Sequence, residues 1–194
     1  MSDEIRVRRL EAGAMDEVRP RLGELLLDSV EKGAAVGFLE PLDAEQADAY
    51  WRRVGSAVAD GRVHLLVAER SDGTVVGTIQ LEVDTLPSQS HRAALGKLLV
   101  HSAARRHGVG EALMRAVEHE ALDAGRRLLL LDTATPAAER LYERLGWTLI
   151  GIVPRWARDP EGEFADAWFY WKDLTETPPQ EGEAPEGSEA TASR

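Results

Sequence analysis

The apolar positions of the chain change period several times, and each change marks an element. Ile5, Val7 and Leu10 alternate with Arg6 and Arg8, which predicts a short edge-like strand. From Met15 to Lys32 the residues Val18, Leu22, Leu25, Leu26 and Val30 return at helical spacing, with Gly33 as the stop. Asp43 is placed to cap a second helix running towards Asp60, with Ala47, Tyr50, Trp51, Val54 and Val58 on its inner face. The period then shortens. Val63–Ala68 and Val75–Val83 read as strands joined by the turn Ser71-Asp72-Gly73. A loop through Pro87 leads to another strand, Ala93–Val100. Leu113, Met114, Val117 and Leu122 are spaced as the apolar face of a helix that ends at Gly125. Leu128–Leu131 is a continuous apolar run, the pattern of a strand buried on both faces. Pro136–Leu145 reads as a short helix stopped by Gly146, and Trp147–Val153 and Phe164–Lys172 as two last strands. Neither a repeat nor a linker interrupts this order. It predicts one α/β domain over residues 1–174, a mixed sheet with helices on both faces.

Composition narrows the class. At 194 residues, 43% hydrophobic and 29% charged, the chain suits a soluble globular domain. It has no cysteine, which excludes disulfides, thiolate chemistry and Cys-ligated zinc. The five histidines lack ligand spacing, so no catalytic metal is expected. Met1–Arg8 is charged rather than apolar, and no apolar run is long enough to span a bilayer. A cytoplasmic protein without a membrane partner is expected. The net charge of -11 argues against a broad nucleic-acid surface. Part of that charge lies in residues 175–194, where Glu176, Glu181, Glu183, Glu186 and Glu189 stand among prolines, glycines and small residues. Such a segment reads as a disordered acidic appendage. The rest of the chain is still acidic, which suits a cationic substrate.

The candidate chemistry begins at Arg105-Arg106-His107-Gly108-Val109-Gly110-Glu111-Ala112. A strand precedes it and a helix follows it. Two glycines let backbone N–H groups approach a ligand closely, three basic side chains surround them, and the helix start favours negative charge. This describes a phosphate cradle; a plain structural turn is the alternative. It is not a P-loop, because no Gly-Lys-Ser/Thr follows, and it lacks the third glycine of a dinucleotide fingerprint.

The spacing Arg105-x-x-Gly108-x-Gly110 resembles the acyl-CoA signature of the GNAT superfamily of N-acetyltransferases. Ala138-Glu139-Arg140-Leu141-Tyr142-Glu143-Arg144-Leu145-Gly146-Trp147 resembles that superfamily's second element. The order of elements is also similar, and the likeness spans roughly Ile5 to Leu174. It implies a mostly antiparallel central sheet of about seven strands and acetyl-CoA as cosubstrate. Leu25-Leu26-Leu27-Asp28-Ser29-Val30, Gly33–Leu39, Leu42-Asp43, Lys97-Leu98-Leu99-Val100 and Leu130–Thr133 further resemble the tabtoxin-resistance acetyltransferases.

The resemblance assigns roles. The amides of His107, Gly108, Val109, Gly110, Glu111 and Ala112 would wrap the pyrophosphate, with Arg105 and Arg106 paired to phosphates. Arg106 stands where the family usually has glycine. The pantetheine arm would pair with the backbone of Leu98, Leu99 and Val100, where two strands splay, and an N–H near Leu99 would face the thioester oxygen. Tyr142 would protonate the leaving thiolate; as a plain core aromatic it would only pack. Thr135 replaces an asparagine that contacts the cofactor in many members, and it also suits a helix N-cap. The usual basic glutamate lies fourteen positions before the glycine matched by Gly108, and here that position is Ala94. Asp132 is the candidate substitute, as base or orienting group, with a strand-end hydrogen-bonding role as its alternative. Glu82 is a second carboxylate that alternation points to solvent.

For the acceptor, Phe38, Trp156 and Trp168 offer an apolar or cation-binding wall, and Arg155 and Asp159 are loop charges that suit a carboxylate or an ammonium. The leading expectation is acetylation of a primary amine on a small molecule, such as an amino-acid-like toxin, an antibiotic or a metabolite. A protein or peptide acceptor and a non-catalytic acyl-CoA sensor are the alternatives. A homodimer is left open.

Overall fold

The computed structural model describes residues 4–175, apart from the side chains of Pro136 and Ala137; the acidic segment expected beyond Thr175 lies outside it. Four helices and seven strands follow in the expected order. They are β1 (Arg6–Arg9), α1 (Met15–Glu31), α2 (Ala44–Ala59), β2 (Val63–Glu69), β3 (Val75–Glu82), β4 (Arg92–Val100), α3 (Val109–Asp123), β5 (Leu128–Thr133), α4 (Pro136–Arg144), β6 (Thr148–Arg158) and β7 (Phe164–Asp173). One sheet runs β1-β2-β3-β4-β5-β7-β6. Only the β4–β5 pair is parallel.

Local chemistry sets the boundaries. Asp43 accepts from the Gln46 amide at 2.8 Å, and the Gln46 side chain accepts from the Asp43 amide at 3.0 Å. This reciprocal pair fixes the start of α2. In the β2–β3 turn the Asp72 carboxylate accepts from the Thr74 amide at 2.9 Å, and Gly73 takes φ +82. Two apolar layers flank the sheet. Leu22, Leu25, Leu26, Trp51 and Val54 of α1 and α2 pack on Leu65, Val67, Val75 and Leu99. Leu113, Met114 and Val117 of α3 pack on Ile79, Leu81, Leu129 and Leu131 across the other face.

Gly77 lets α3 approach the sheet. A Cβ there would lie 3.0 Å from Leu113, from Val109 and from the Leu99 carbonyl oxygen. Only a missing side chain allows the first turn of α3 to sit directly on β3.

Two local expectations are corrected. Leu128 and Leu130 are only half-buried, while Leu129 and Leu131 are buried. The layer formed with α1 and α2 covers residues of β2, β3 and β4, so β5 packs fully on the α3 side alone. β6 also runs past Val153 to Arg158. Pro154 sits in a wide bulge where Pro154, Arg155 and Trp156 face the single residue Asp166. On an edge strand the missing N–H of proline costs no ladder bond.

Candidate active site

The site begins where the sheet opens. β4 and β5 pair only at Arg92–Leu128, Ala93–Leu129 and Ala94–Leu130. From Leu95 onward the β5-side edge of β4 has no strand partner among the described residues. A bulge accentuates the parting, since Lys97 and Leu98 together face Ile79, and Lys97 takes φ +51. A left-handed lysine costs about 1–2 kcal/mol, so the surrounding structure must hold it there.

The cradle stands at the end of this opening. Gly108 takes φ +79 as N-cap of α3, and Ala112 donates to its carbonyl at 2.9 Å. That bond occupies the Ala112 amide within the helix. Val109, Gly110 and Glu111 supply the amides of the first turn, which an α-helix leaves without intrahelical partners. Gly110 packs close to α4, where a Cβ would meet Leu141 at 3.4 Å. Arg106 takes φ +65, which explains the glycine usual at its position. Arg105 folds back, its Nε donating to the Val100 carbonyl at 3.1 Å. His107 Nδ1 lies 2.8 Å from the Arg105 carbonyl. The Glu111 side chain accepts from Arg115 at 2.9 Å and from Arg144 at 3.5 Å.

Asp28 anchors the cradle from α1. Its carboxylate accepts from the Ser102 amide at 2.7 Å and the Ser102 hydroxyl at 2.6 Å, and the Arg105 guanidinium stands 3.9 Å away. Burial pushes the Asp28 carboxyl up, but the two bonds from Ser102 together with the charges of His101 and Arg105 outweigh it and hold the group below its ordinary value.

A cavity of about 300 Å³ occupies the opening. Its lining includes Leu98 and Met114, on the strand and helix that flank the cradle, Thr135 and Tyr142 at α4, and Gly37, Lys97, Asp132 and Trp156. Tyr142 is buried, with Trp147 and Tyr170 rings at 6.1 and 5.7 Å. Burial first, then the charge of Asp132, raises its phenol well above the ordinary value, so the group is protonated. Glu118 fixes the end of α4. Its carboxylate accepts from Trp147 Nε1 at 3.0 Å and Lys172 Nζ at 2.8 Å, and the same Nζ donates to the Leu145 carbonyl at 2.8 Å. Thr135 makes no side-chain cap; its hydroxyl stands 3.4 Å from that of Thr133.

The remaining sequence candidates are dispersed. Asp132 lies on the cavity wall at the exposed end of β5. Glu82 stands directly across from Ala94 in the β3–β4 register, exposed and outside the cavity lining. Trp156 lines the cavity, stacked edge-on against Phe169 at 5.1 Å. Phe38 packs on Tyr50 at 5.2 Å, and neither Phe38 nor Trp168 is among the lining residues. Arg155 lies over the Phe164 ring, and Asp159 closes the β6–β7 turn by accepting from the Glu163 amide. Sequence reasoning assigned no role to Lys97, Gly77 or Asp28. Lys97 and Gly77 sit inside apolar strand patterns, and Asp28 sits in a helix, far in sequence from the loop it holds.

The chain matches the model of the acetyltransferase (GNAT) family over residues 24–147. It belongs to that family. The IAA acetyltransferase of Azospirillum brasilense is 30% identical over 146 residues, covering 72% of this chain and 93% of that protein. An uncharacterized N-acetyltransferase from the hisH-hisA intergenic region of the same organism is 36% identical over 107 residues. That match covers 54% of this chain and 61% of the relative's length. A GCN5-related N-acetyltransferase from Kribbella flavida superposes with a TM-score of 0.71 at 25% identity, covering 88% of this chain and 98% of that one. YncA from Salmonella typhimurium, solved with acetyl-CoA, gives 0.70 at 20% identity, covering 95% and 99%. The seven-stranded sheet and its helices are the GNAT fold, and acetyl-CoA is the family's cosubstrate. Among the described residues no helix is long and apolar enough to cross a membrane, and no group of histidine and carboxylate side chains could hold a metal ion.

Proposed function

We propose that this protein transfers an acetyl group from acetyl-CoA to a primary amine of a small molecule, by direct attack in a ternary complex. The observation that carries this is a cavity lined by the unpaired edge of β4 at Leu95–Leu98, by Met114 of α3 and by the buried Tyr142, with the first turn of α3 following the end of β4 in the chain. The β4 edge would bind the pantetheine amides as a missing strand would. The amides of Val109, Gly110 and Glu111, with the Arg106 charge, would hold the pyrophosphate. Leu99 would offer its N–H to the thioester oxygen as charge develops there.

Chemistry then needs two proton positions. Asp132 would accept a proton from the acceptor amine, directly or through water, and leave a neutral nucleophile. The amine nitrogen bonds to the acetyl carbon, the carbon–sulfur bond breaks, Tyr142 delivers its phenolic proton to the leaving sulfur, and the proton shed by the new amide nitrogen restores the phenol. Burial keeps the phenol in its protonated form before transfer. Asp132 is preferred over Glu82 because it lines the cavity and Glu82 does not. The resemblance to the tabtoxin-resistance acetyltransferases bears on the acceptor alone, and Ala94 in place of the usual glutamate weakens that link.

The test is thiol release from acetyl-CoA across amino acids, polyamines, antibiotics and peptides. The wild type should turn over at least one small amine. Tyr142→Phe should lose about 100-fold in kcat while its acetyl-CoA affinity stays within about threefold. Full activity in that variant removes Tyr142 from the mechanism. Peptides as the only acceptors reject the small-molecule reading, and a wild type that binds acetyl-CoA but acetylates nothing is a sensor.

A further inference from the structure

The acceptor half of the cavity contains a cation that the chemistry above does not use. Lys97 lines the wall beside Gly37 and shares the cavity with Asp132 and Trp156. Its Nζ would stand 3.7 Å from a Cβ at Gly37 and lies 5.9 Å from the Tyr50 ring centroid. No hydrogen bond or ion pair reaches that ammonium from the described residues. Tyr50 cannot neutralise it. Burial pushes the phenol up to about 12, and the hydroxyl already accepts from Gln80 Nε2 at 2.9 Å. The lysine itself is half-buried, and its desolvation is only partly offset by the charges of Glu82 and Asp132.

A desolvated ammonium that rests against the Tyr50 ring but has no hydrogen bond or ion pair among the described residues, fixed by a left-handed bulge on a cavity wall, is arranged to receive an anion. Packing alone does not account for it, because an apolar residue would fill this position without a buried charge. The other wall carries the opposite sign in Asp132. Gly37 matters here too, since its missing side chain leaves the space in front of Nζ open. We infer that Lys97 recognises a carboxylate on the acceptor, so that the substrate is a primary amine carrying a carboxylate group, its amine held towards Asp132. This rests on the acetyltransferase reading and adds to it a specificity-determining residue.

The test uses matched pairs of primary amines: glycine and glycinamide, L-methionine and L-methioninamide, L-phenylalanine and L-phenylalaninamide. Each is assayed by thiol release from acetyl-CoA. The wild type should favour the carboxylate member in at least one pair. Lys97→Met should lower kcat/KM for that acid roughly 10- to 100-fold, mostly through KM, and leave its amide within about twofold. Lys97→Arg should restore most of the preference. Lys97→Asn, which suits a left-handed backbone, should behave as Lys97→Met does and guards against misfolding of the first variant. Equal losses on acid and amide, or a wild-type preference for every amide, overturn the assignment while leaving acetyl transfer intact. Turnover of no member of any pair, alongside turnover of other amines, rejects it as well. No turnover of any amine rejects the acetyltransferase reading with it.

Discussion

The cavity has two halves built by different means. On the proposed donor side the parts are mostly backbone: the free edge of β4, the first amides of α3 and the glycines at 77, 108 and 110. Side chains there mainly hold the backbone in place, as Asp28 does through Ser102 and Glu118 through Trp147 and Lys172. On the proposed acceptor side the parts are side chains from three distant places, Lys97, Asp132 and Trp156, with Gly37 leaving space among them. A backbone cradle demands particular residues only where a side chain would intrude. A side-chain wall can change its chemistry one residue at a time. Substitutions on the donor side should therefore act through geometry and cofactor affinity, and those on the acceptor side through charge and turnover.

The largest effect should come from Asp132→Asn. If this carboxylate takes the amine proton, kcat falls about 100-fold at neutral pH while acetyl-CoA affinity, measured by calorimetry, is unchanged. A loss of cofactor affinity instead would blur the boundary between the halves. Gly77→Ala should act in the reverse sense. The new Cβ meets the Leu99 carbonyl oxygen and two side chains of α3 at 3.0 Å, and the backbone atom cannot yield cheaply. A stability loss of about 1–3 kcal/mol is expected, a fall of roughly 3–10 °C in Tm, together with weaker acetyl-CoA binding.

Asp28→Asn should raise the acetyl-CoA Kd about 3- to 10-fold, with little change in acceptor KM. The same contact predicts a pH dependence. The folded Asp28 carboxyl lies below its ordinary value of 3.8, so the folded state binds this proton less readily than the unfolded chain. Its stabilisation is complete above about pH 4 and is lost as pH falls through the folded value. Denaturant unfolding between about pH 5 and 3 should resolve this loss in the wild type and find it reduced in the Asn variant. The smallest effect belongs to Arg106→Gly. Relief of the left-handed backbone should add about 1 kcal/mol of stability, while removal of the exposed charge weakens acetyl-CoA binding a few-fold. A gain in both would mean that Arg106 does not meet phosphate.

The same division decides what the sequence disclosed. Gly108, Val109, Gly110 and Glu111 are adjacent in the chain, and their spacing carries the geometry of the cradle. Tyr142 belongs to a compact helix whose neighbours are equally local. The helices and strands were legible because burial on one face imposes a period. The reach of β6 past Val153 was not legible, since the bulge that holds Pro154 depends on β7 rather than on local sequence. Leu128 and Leu130 misled because their exposure depends on how far α1 and α2 extend. Lys97 reads as a polar interruption in an apolar strand. Its meaning rests on a backbone angle and on Gly37 and Tyr50, sixty and forty-seven positions away in the chain.

The three-residue seam between β4 and β5 has a further consequence. Strands β1 to β4 form one ladder and β5 to β7 another, and among the described strand pairings only Arg92–Ala94 with Leu128–Leu130 joins them. A pantetheine chain lying along the open stretch would act as a splint between the two ladders. Occupancy would then register as resistance to unfolding of the whole sheet, worth about 2.7 kcal/mol at a cosubstrate concentration one hundred times Kd. In a cell whose acetyl-CoA level rises and falls, the lifetime of this protein would follow the supply of its own donor.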